Sequence, residues 1–245
     1  MVGTTDSPSI PTEPSEEVDA AVNELLESWK RGQKNAQDTV DALAEIAKDA
    51  AARGALADEG RANHILGYIN HFIGRLNTSI RHYETARRLF MRVGNERRAA
   101  VMELNNGENY RMKGEYNKAR RLYRHAYDAA KKLHDDVVQT VAITNEGLIL
   151  VNIGDYKAAT NALSEGLKLL KDEEGVAKRV PELRADVEQA LATIALNENR
   201  LSDAWRHATT ALRIAEQLGI QMTVGLAYRT MGDVYTALPN PPMDD

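Results

Sequence analysis

The sequence predicts an all-α protein, a right-handed superhelical solenoid of antiparallel helix pairs with about 11 helices. Three observations predict it. Small and apolar residues return in register at intervals of 40 residues. Each interval holds two amphipathic stretches of about 17 residues around a glycine-type turn. Ala, Leu, Arg and Glu are plentiful and aromatics make up only 5% of the chain, a balance that suits long helices better than a β-sandwich.

The repeat is legible column by column. Leu66-Gly67 returns as Asn106-Gly107 and Glu146-Gly147, then as Leu191-Ala192 after 45 residues and Met231-Gly232 after 40 more. Seven positions on stand Gly74, Gly114, Gly154 and Asn199, followed by Leu76, Tyr116, Tyr156 and Leu201. The next columns are Ser79, Ala119, Ala159 and Ala204, then Tyr83, Tyr123, Leu163 and Ala208, then Ala86, Ala126, Gly166 and Ala211. Gly74 and its equivalents supply the positive φ that ends a first helix. The small residues let a partner backbone approach, and the Tyr and Leu fill the gap. Gly67, Gly107 and Gly147 lie inside helices, where Gly costs about 1 kcal/mol against Ala, so close packing at that point offsets the cost.

The elements follow in order. Residues 1–14 read as a disordered tail. Residues 15–56 hold helices over 15–31 and 36–53, a degenerate capping unit with Trp29, Leu43 and Ile46 at apolar positions. Repeats occupy 57–94, 95–134, 135–176 and 177–219, with Gly94-Asn95 and Leu218-Gly219 marking turns between units. Asp155 and Ser202 are candidate helix starters. The five-residue insertion at 172–180 predicts a longer loop leading to Pro181 near the next helix start. A lone terminal helix over 220–238 precedes a proline-rich tail, 239–245.

These columns carry a resemblance, clearest in the run from Asn106 to Ala119. They resemble the tetratricopeptide repeat, in the long-repeat form found in kinesin light chain, in spindle-orientation adaptors and in sensor arms of bacterial transcription activators. The resemblance covers about residues 61–238. It departs in the fourth unit, where Ala192 replaces Gly and Ala208 the aromatic, and in the absence of the proline that often closes a unit. It implies a fold and a protein-binding role, while leaving the partner open.

Composition narrows the chemistry. With no cysteine, thiolate nucleophiles, thiolate metal sites and disulfides are excluded. No apolar run approaches the roughly 20 residues that cross a bilayer, and residues 1–14 do not read as a secretory signal. A soluble, cytoplasmic protein with no membrane partner is expected. His64 and His71 share a helical face, but no third ligand or His-Glu-x-x-His pair accompanies them, so no metal is expected. No phosphate loop, nucleophile elbow or dinucleotide fingerprint appears, so neither enzyme nor cofactor is expected.

The net charge of −5 is uneven: residues 1–60 carry −8 and residues 75–132 carry +9. That basic middle either steers an acidic partner or is a solvated outer face. Arg87, Arg88, Arg92, Arg97 and Arg98, with Arg120, Arg121 and Arg124, raise nucleic acid as a partner. No aromatic platform interleaves them and the second cluster falls on the expected convex side, so that partner is disfavoured.

In such a stack the first helix of each unit lines a concave wall. The positions expected to face inward are His64, Tyr68, His71 and Phe72; Leu104, Asn105, Glu108 and Arg111; Thr144, Asn145, Leu148 and Asn152; Gln189, Thr193 and Asn197; and Arg229 and Asp233. The groove assigned to a peptide is formed by Tyr68, His71, Asn105, Glu108, Arg111, Asn145, Leu148, Asn152, Thr193 and Asn197. Asn105 and Asn145 occupy one repeat position. The resemblance implies that they hold the backbone of an extended peptide; alternatively they satisfy neighbouring helix ends or face water. The leading expectation is a scaffold or adaptor that binds a peptide or helix. A sensor or oligomerisation arm, self-associating through Trp29 or residues 231–238, stands as an alternative. A nucleic-acid accessory protein is a second.

Overall fold

The computed structural model describes residues 11–170 and 176–239. Among them every regular element is a helix. Eleven have fourteen residues or more and one is a single turn. The chain divides into two compact units, residues 1–129 and 130–245. The first holds α1 (Glu16–Lys30), α2 (Ala36–Ala52), α3 (Leu56–Phe72), α4 (Leu76–Arg92), α5 (Glu96–Met112) and α6 (Tyr116–Leu133), whose last residues belong to the second unit. The second continues with α7 (Asp136–Asn152), α8 (Tyr156–Leu169), α9 (Val176–Arg179), α10 (Glu182–Asn197), α11 (Leu201–Leu218) and α12 (Gln221–Ala237).

The expected turns are where the columns put them. Gly74, Gly114 and Gly154 have φ of 77°, 73° and 79°, and Asn199 takes the same left-handed conformation at 57°. Asn is the residue that stands in for Gly there at least cost. Each turn closes with a reverse hydrogen bond, such as Arg75 N–H to the Asn70 carbonyl at 2.8 Å and Arg200 N–H to Ala195 at 2.8 Å, satisfying a carbonyl the helix leaves open. Asp155 caps α8 by accepting from Ala158 N–H at 3.2 Å. Ser202 does not cap α11; Arg200 holds that place and Ser202 lies inside the first turn. Part of the stretch expected to be a long loop forms the single turn α9, ahead of Pro181 at the start of α10; residues 171–175 lie outside the described residues.

Helix pairs are welded at the glycine column. A Cβ on Gly67 would lie 2.6 Å from the Tyr83 ring, one on Gly147 2.7 Å from Leu163, and one on Gly107 closer still to Tyr123. Only hydrogen fits in that space. In α10/α11 the contact is made by Ala192 and Ala208, both fully buried, with Ala195, Ala204 and Val234 of α12 in the same cluster. In the capping unit Leu43 is fully buried, and Trp29 and Ile46 pack against the cluster around it.

Candidate protein-interaction surface

The ten residues assigned to the groove divide between the two units. Tyr68, His71, Asn105, Glu108 and Arg111 lie in the first; Asn145, Leu148, Asn152, Thr193 and Asn197 lie in the second. All ten retain solvent-accessible surface. Three further positions are not on open wall. Leu104 is buried, and Thr144 is sealed against the backbone of α8, where a Cβ on Gly166 would lie 2.6 Å from its hydroxyl. Gln189 is half-buried, and its amide nitrogen has no hydrogen-bond partner among the described residues.

In the first unit an aromatic shelf forms from α1 and α3. Tyr68 meets Trp29 edge-on at 6.2 Å and Phe72 at 4.6 Å, while Trp29 meets Phe72 at 6.0 Å. Phe72 is 60% exposed, a wide apolar surface for a side chain held on two sides. Next to it, His71 Nδ1 lies 2.8 Å from Asn109 Oδ1. The Asn109 amide donates to Ser79 Oγ at 2.9 Å, and Ser79 donates to the Gly67 carbonyl at 2.7 Å. With its N–H groups committed, Asn109 offers His71 an oxygen, so His71 Nδ1 carries the proton of that bond.

Asn109 is the residue that sequence reasoning missed. Its column reads Ile69, Asn109, Ile149, Ile194 and Val234, all fully buried. One amide in an apolar column was the available signal. The remaining polar pair is Glu108 and Arg111, whose guanidinium donates to both carboxylate oxygens at 2.8 and 2.5 Å; the Tyr123 hydroxyl adds a bond at 3.2 Å. Burial works to raise the Glu108 carboxyl, but Arg111 outweighs it and holds it below the usual range. This pair is self-satisfied and offers less to a ligand than an open group would.

His64 is held neutral. Arg61 donates to its Nδ1 at 3.4 Å, so that nitrogen is an acceptor. Burial, with the charges of Arg61 and Arg98, pushes its pKa down to about 3. In the second unit Thr193 and Asn197 bond back to their own helix, at 3.1 and 2.8 Å. Asn105 and Asn145 differ: each is half-buried, and neither side chain has a hydrogen-bond partner among the described residues. The expectation that they serve helix ends is therefore not what is seen.

The basic middle is partly spent inside the fold. Arg87 pairs with buried Glu103 at 3.3 Å, and Arg98 pairs with Glu13 at 2.8 Å; Arg121 and Arg124 are exposed. Among the described residues no group of three His, Cys, Asp or Glu could hold a metal, and no helix is long and apolar enough to cross a membrane.

This geometry is that of a helical-repeat protein. Residues 58–132 match the tetratricopeptide repeat family, and the fold is of the tetratricopeptide-repeat type. No curated protein matches the sequence. Among solved structures, the apo form of RapI is similar at TM-score 0.71 and 11% identity, over 90% of this chain and 82% of that one. A Rap protein complexed with competence and sporulation factor is similar at TM-score 0.61 and 14% identity, over 91% of this chain and 65% of that one. At these identities the likeness shows the fold alone.

Proposed function

We propose that the chain is a non-enzymatic scaffold or adaptor that holds a segment of a partner protein on the faces of first helices within a unit. The observation that carries this reading is Asn105 in the first unit and, independently, its repeat equivalent Asn145 in the second. Each presents an unspent amide donor and acceptor from the same repeat position, while Asn63, Asn70 and Asn109 are committed to internal bonds. An Asn side chain can answer both the N–H and the C=O of an extended backbone. The aromatic shelf at Phe72 adds an apolar anchor, the kind of residue that dominates binding energy. A Rap protein of this fold is complexed with a factor, which supports a binding role. Selection from a random-peptide display library tests the reading. Enriched peptides should lose binding to the variant carrying Asn105→Ala and Asn145→Ala, while that variant keeps its melting temperature. Peptides that bind it as well as the parent would remove the groove.

A second reading is favoured by α12. Offset by the repeat, Met222, Gly225, Leu226, Tyr228, Gly232 and Tyr235 correspond to Ala57, Gly60, Arg61, Asn63, Gly67 and Asn70 of α3, all of them buried. On α12 all six are exposed, Met222 at 79%, and a Cβ on Gly225 or Gly232 would meet nothing. That face is shaped for another helix, and a second copy of the chain is the alternative partner. Light scattering on Gly232→Glu decides: a dimer that becomes monomer supports self-association, and a parent that is monomeric at every concentration ends it.

A further inference from the structure

Residues 12–15, ahead of α1, are held by two buried polar side chains at the starts of successive first helices. Asn95, 8% exposed, uses its side-chain oxygen to cap α5 at Arg98 N–H, 3.1 Å away. That fixes its nitrogen toward the tail, where it donates to the Thr12 carbonyl at 3.0 Å and to Glu13 Oε1 at 2.8 Å. Arg98 Nε donates to Glu13 Oε2 at 2.8 Å, and its guanidinium lies 5.7 Å from the Phe90 ring, which steadies it. Asp58, 5% exposed, accepts from Ser15 N–H at 2.7 Å and from Ser15 Oγ at 3.1 Å. Pro14 between them has no N–H to leave unpaired.

Two features make this more than packing ahead of a helix. Asp58 and Arg98 stand 40 residues apart at one repeat position, and Arg98 lies two turns before Asn105 on the same stripe of α5. The seat therefore shares a stripe of α5 with Asn105. Its contacts also read a chemistry: one backbone carbonyl, one carboxylate and one backbone N–H two residues further on. Asn95 and Arg98 belong to the basic stretch 75–132, whose net charge is +9.

We propose that Asp58, Asn95 and Arg98 form a binding site for a non-helical acidic segment of a partner protein, and that residues 12–15 occupy it as an internal placeholder which the partner displaces. This rests on the scaffold reading above. The ion pair adds little to the hold, since Glu13 is 63% exposed, and the hydrogen bonds to Asn95 and Asp58 can be remade by an incoming segment of the same kind. It competes because it is tethered, at an effective concentration on the order of millimolar.

The probe is a synthetic peptide of residues 11–17, titrated into the full chain and into its Glu13→Lys variant. The Asn95 side-chain amide and Arg98 Nε–H resonances are followed by NMR. The substitution sets a second cation beside Arg98 and unseats the tail. The peptide should then shift both resonances at about tenfold lower concentration than in the parent, as expected when the open fraction of the parent is about 0.1. A peptide with Lys in place of Glu should shift neither. Equal titration of parent and variant, or no shift at these resonances in either, overturns the proposal. Display-selected peptides that need Asn105 and Asn145 yet bind parent and Glu13→Lys alike would leave the scaffold reading standing and remove the placeholder.

Discussion

In the hairpin α3/α4, Gly67 lies under the ring of Tyr83; in α10/α11 the same two places are held by Ala192 and Ala208. One contact is solved as nothing against large, the other as small against small. The first fills its gap from within the hairpin. The second brings in help: Met231 and Val234 of α12 pack on the alanine cluster, with Trp205 and Leu196. Both hairpins also pack on the helix that follows, Tyr83, Ala86 and Phe90 against Ala99 and Met102 of α5 in the first and the alanine cluster against Val234 of α12 in the second; what differs is which residue fills the space over the first helix. The fourth unit's departures from the pattern mark a change in packing strategy at the end of the repeat.

The comparison can be broken most severely at the filler. Tyr123→Ala should destabilise by about 3–5 kcal/mol in urea unfolding, since a buried ring is lost together with its bond to Glu108. A loss below about 1 kcal/mol would mean the ring does not fill the gap. Next comes the glycine: Gly67→Ala should cost about 1–3 kcal/mol by overpacking. Combined with Tyr83→Ala, which rebuilds the alanine pair of α10/α11, the two changes should together cost less than the sum of the singles. Additivity would show that the columns do not communicate.

The third test sets His64 against its equivalents Leu104 and Thr144, which do not titrate. With a folded pKa near 3 against an ordinary 6.5, the unfolded chain binds the extra proton between those values. Stability from the neutral ring is then present above pH 6.5 and is lost as pH falls toward 3, with a slope of at most about 1.4 kcal/mol per pH unit. His82, also lowered by burial and then by Arg81, acts in the same direction. His64→Gln should flatten the slope measured by denaturation between pH 4 and 6.5. An unchanged slope would place the titration elsewhere. The smallest effect concerns turns between hairpins. Gly94 and His134 share a position, with φ of 76° and 54°. His134→Gly should stabilise by about 1 kcal/mol, because a side chain in that conformation is strained; a loss of stability would show that the imidazole serves another purpose.

Much of this fold is legible from spacing because spacing is what close-packed helices constrain. Gly67, Gly107 and Gly147 announce their neighbours, and Asn199 declares its turn in place of a glycine. Helix bounds expected at 15–31 and 36–53 fall at Glu16–Lys30 and Ala36–Ala52. The surface was legible only as a list of positions. Periodicity says which way a residue points, but not whether its hydrogen bonds are already spent. Asn105 and Asn197 look alike in sequence, yet the second bonds to its own helix. The hold on Thr12 and Glu13, within a stretch expected to be a disordered tail, joins residues more than eighty positions apart, which no repeat column encodes.

The buried bond between Ser79 and Asn109 has one more consequence. A chain of near-identical hairpins risks stacking a unit on the wrong neighbour during folding. The other members of the Asn109 column offer no defence, since Ile149, Ile194 and Val234 are close to interchangeable. Placing Asn109 against Ala119, Ala159 or Ala204 would strand its buried amide at a cost of about 1–3 kcal/mol, whereas Ser79 keeps its bond to the Gly67 carbonyl. The amide thus serves as an address, marking α5 as the helix that follows the hairpin α3/α4 and penalising misfolded orders that set it against another hairpin.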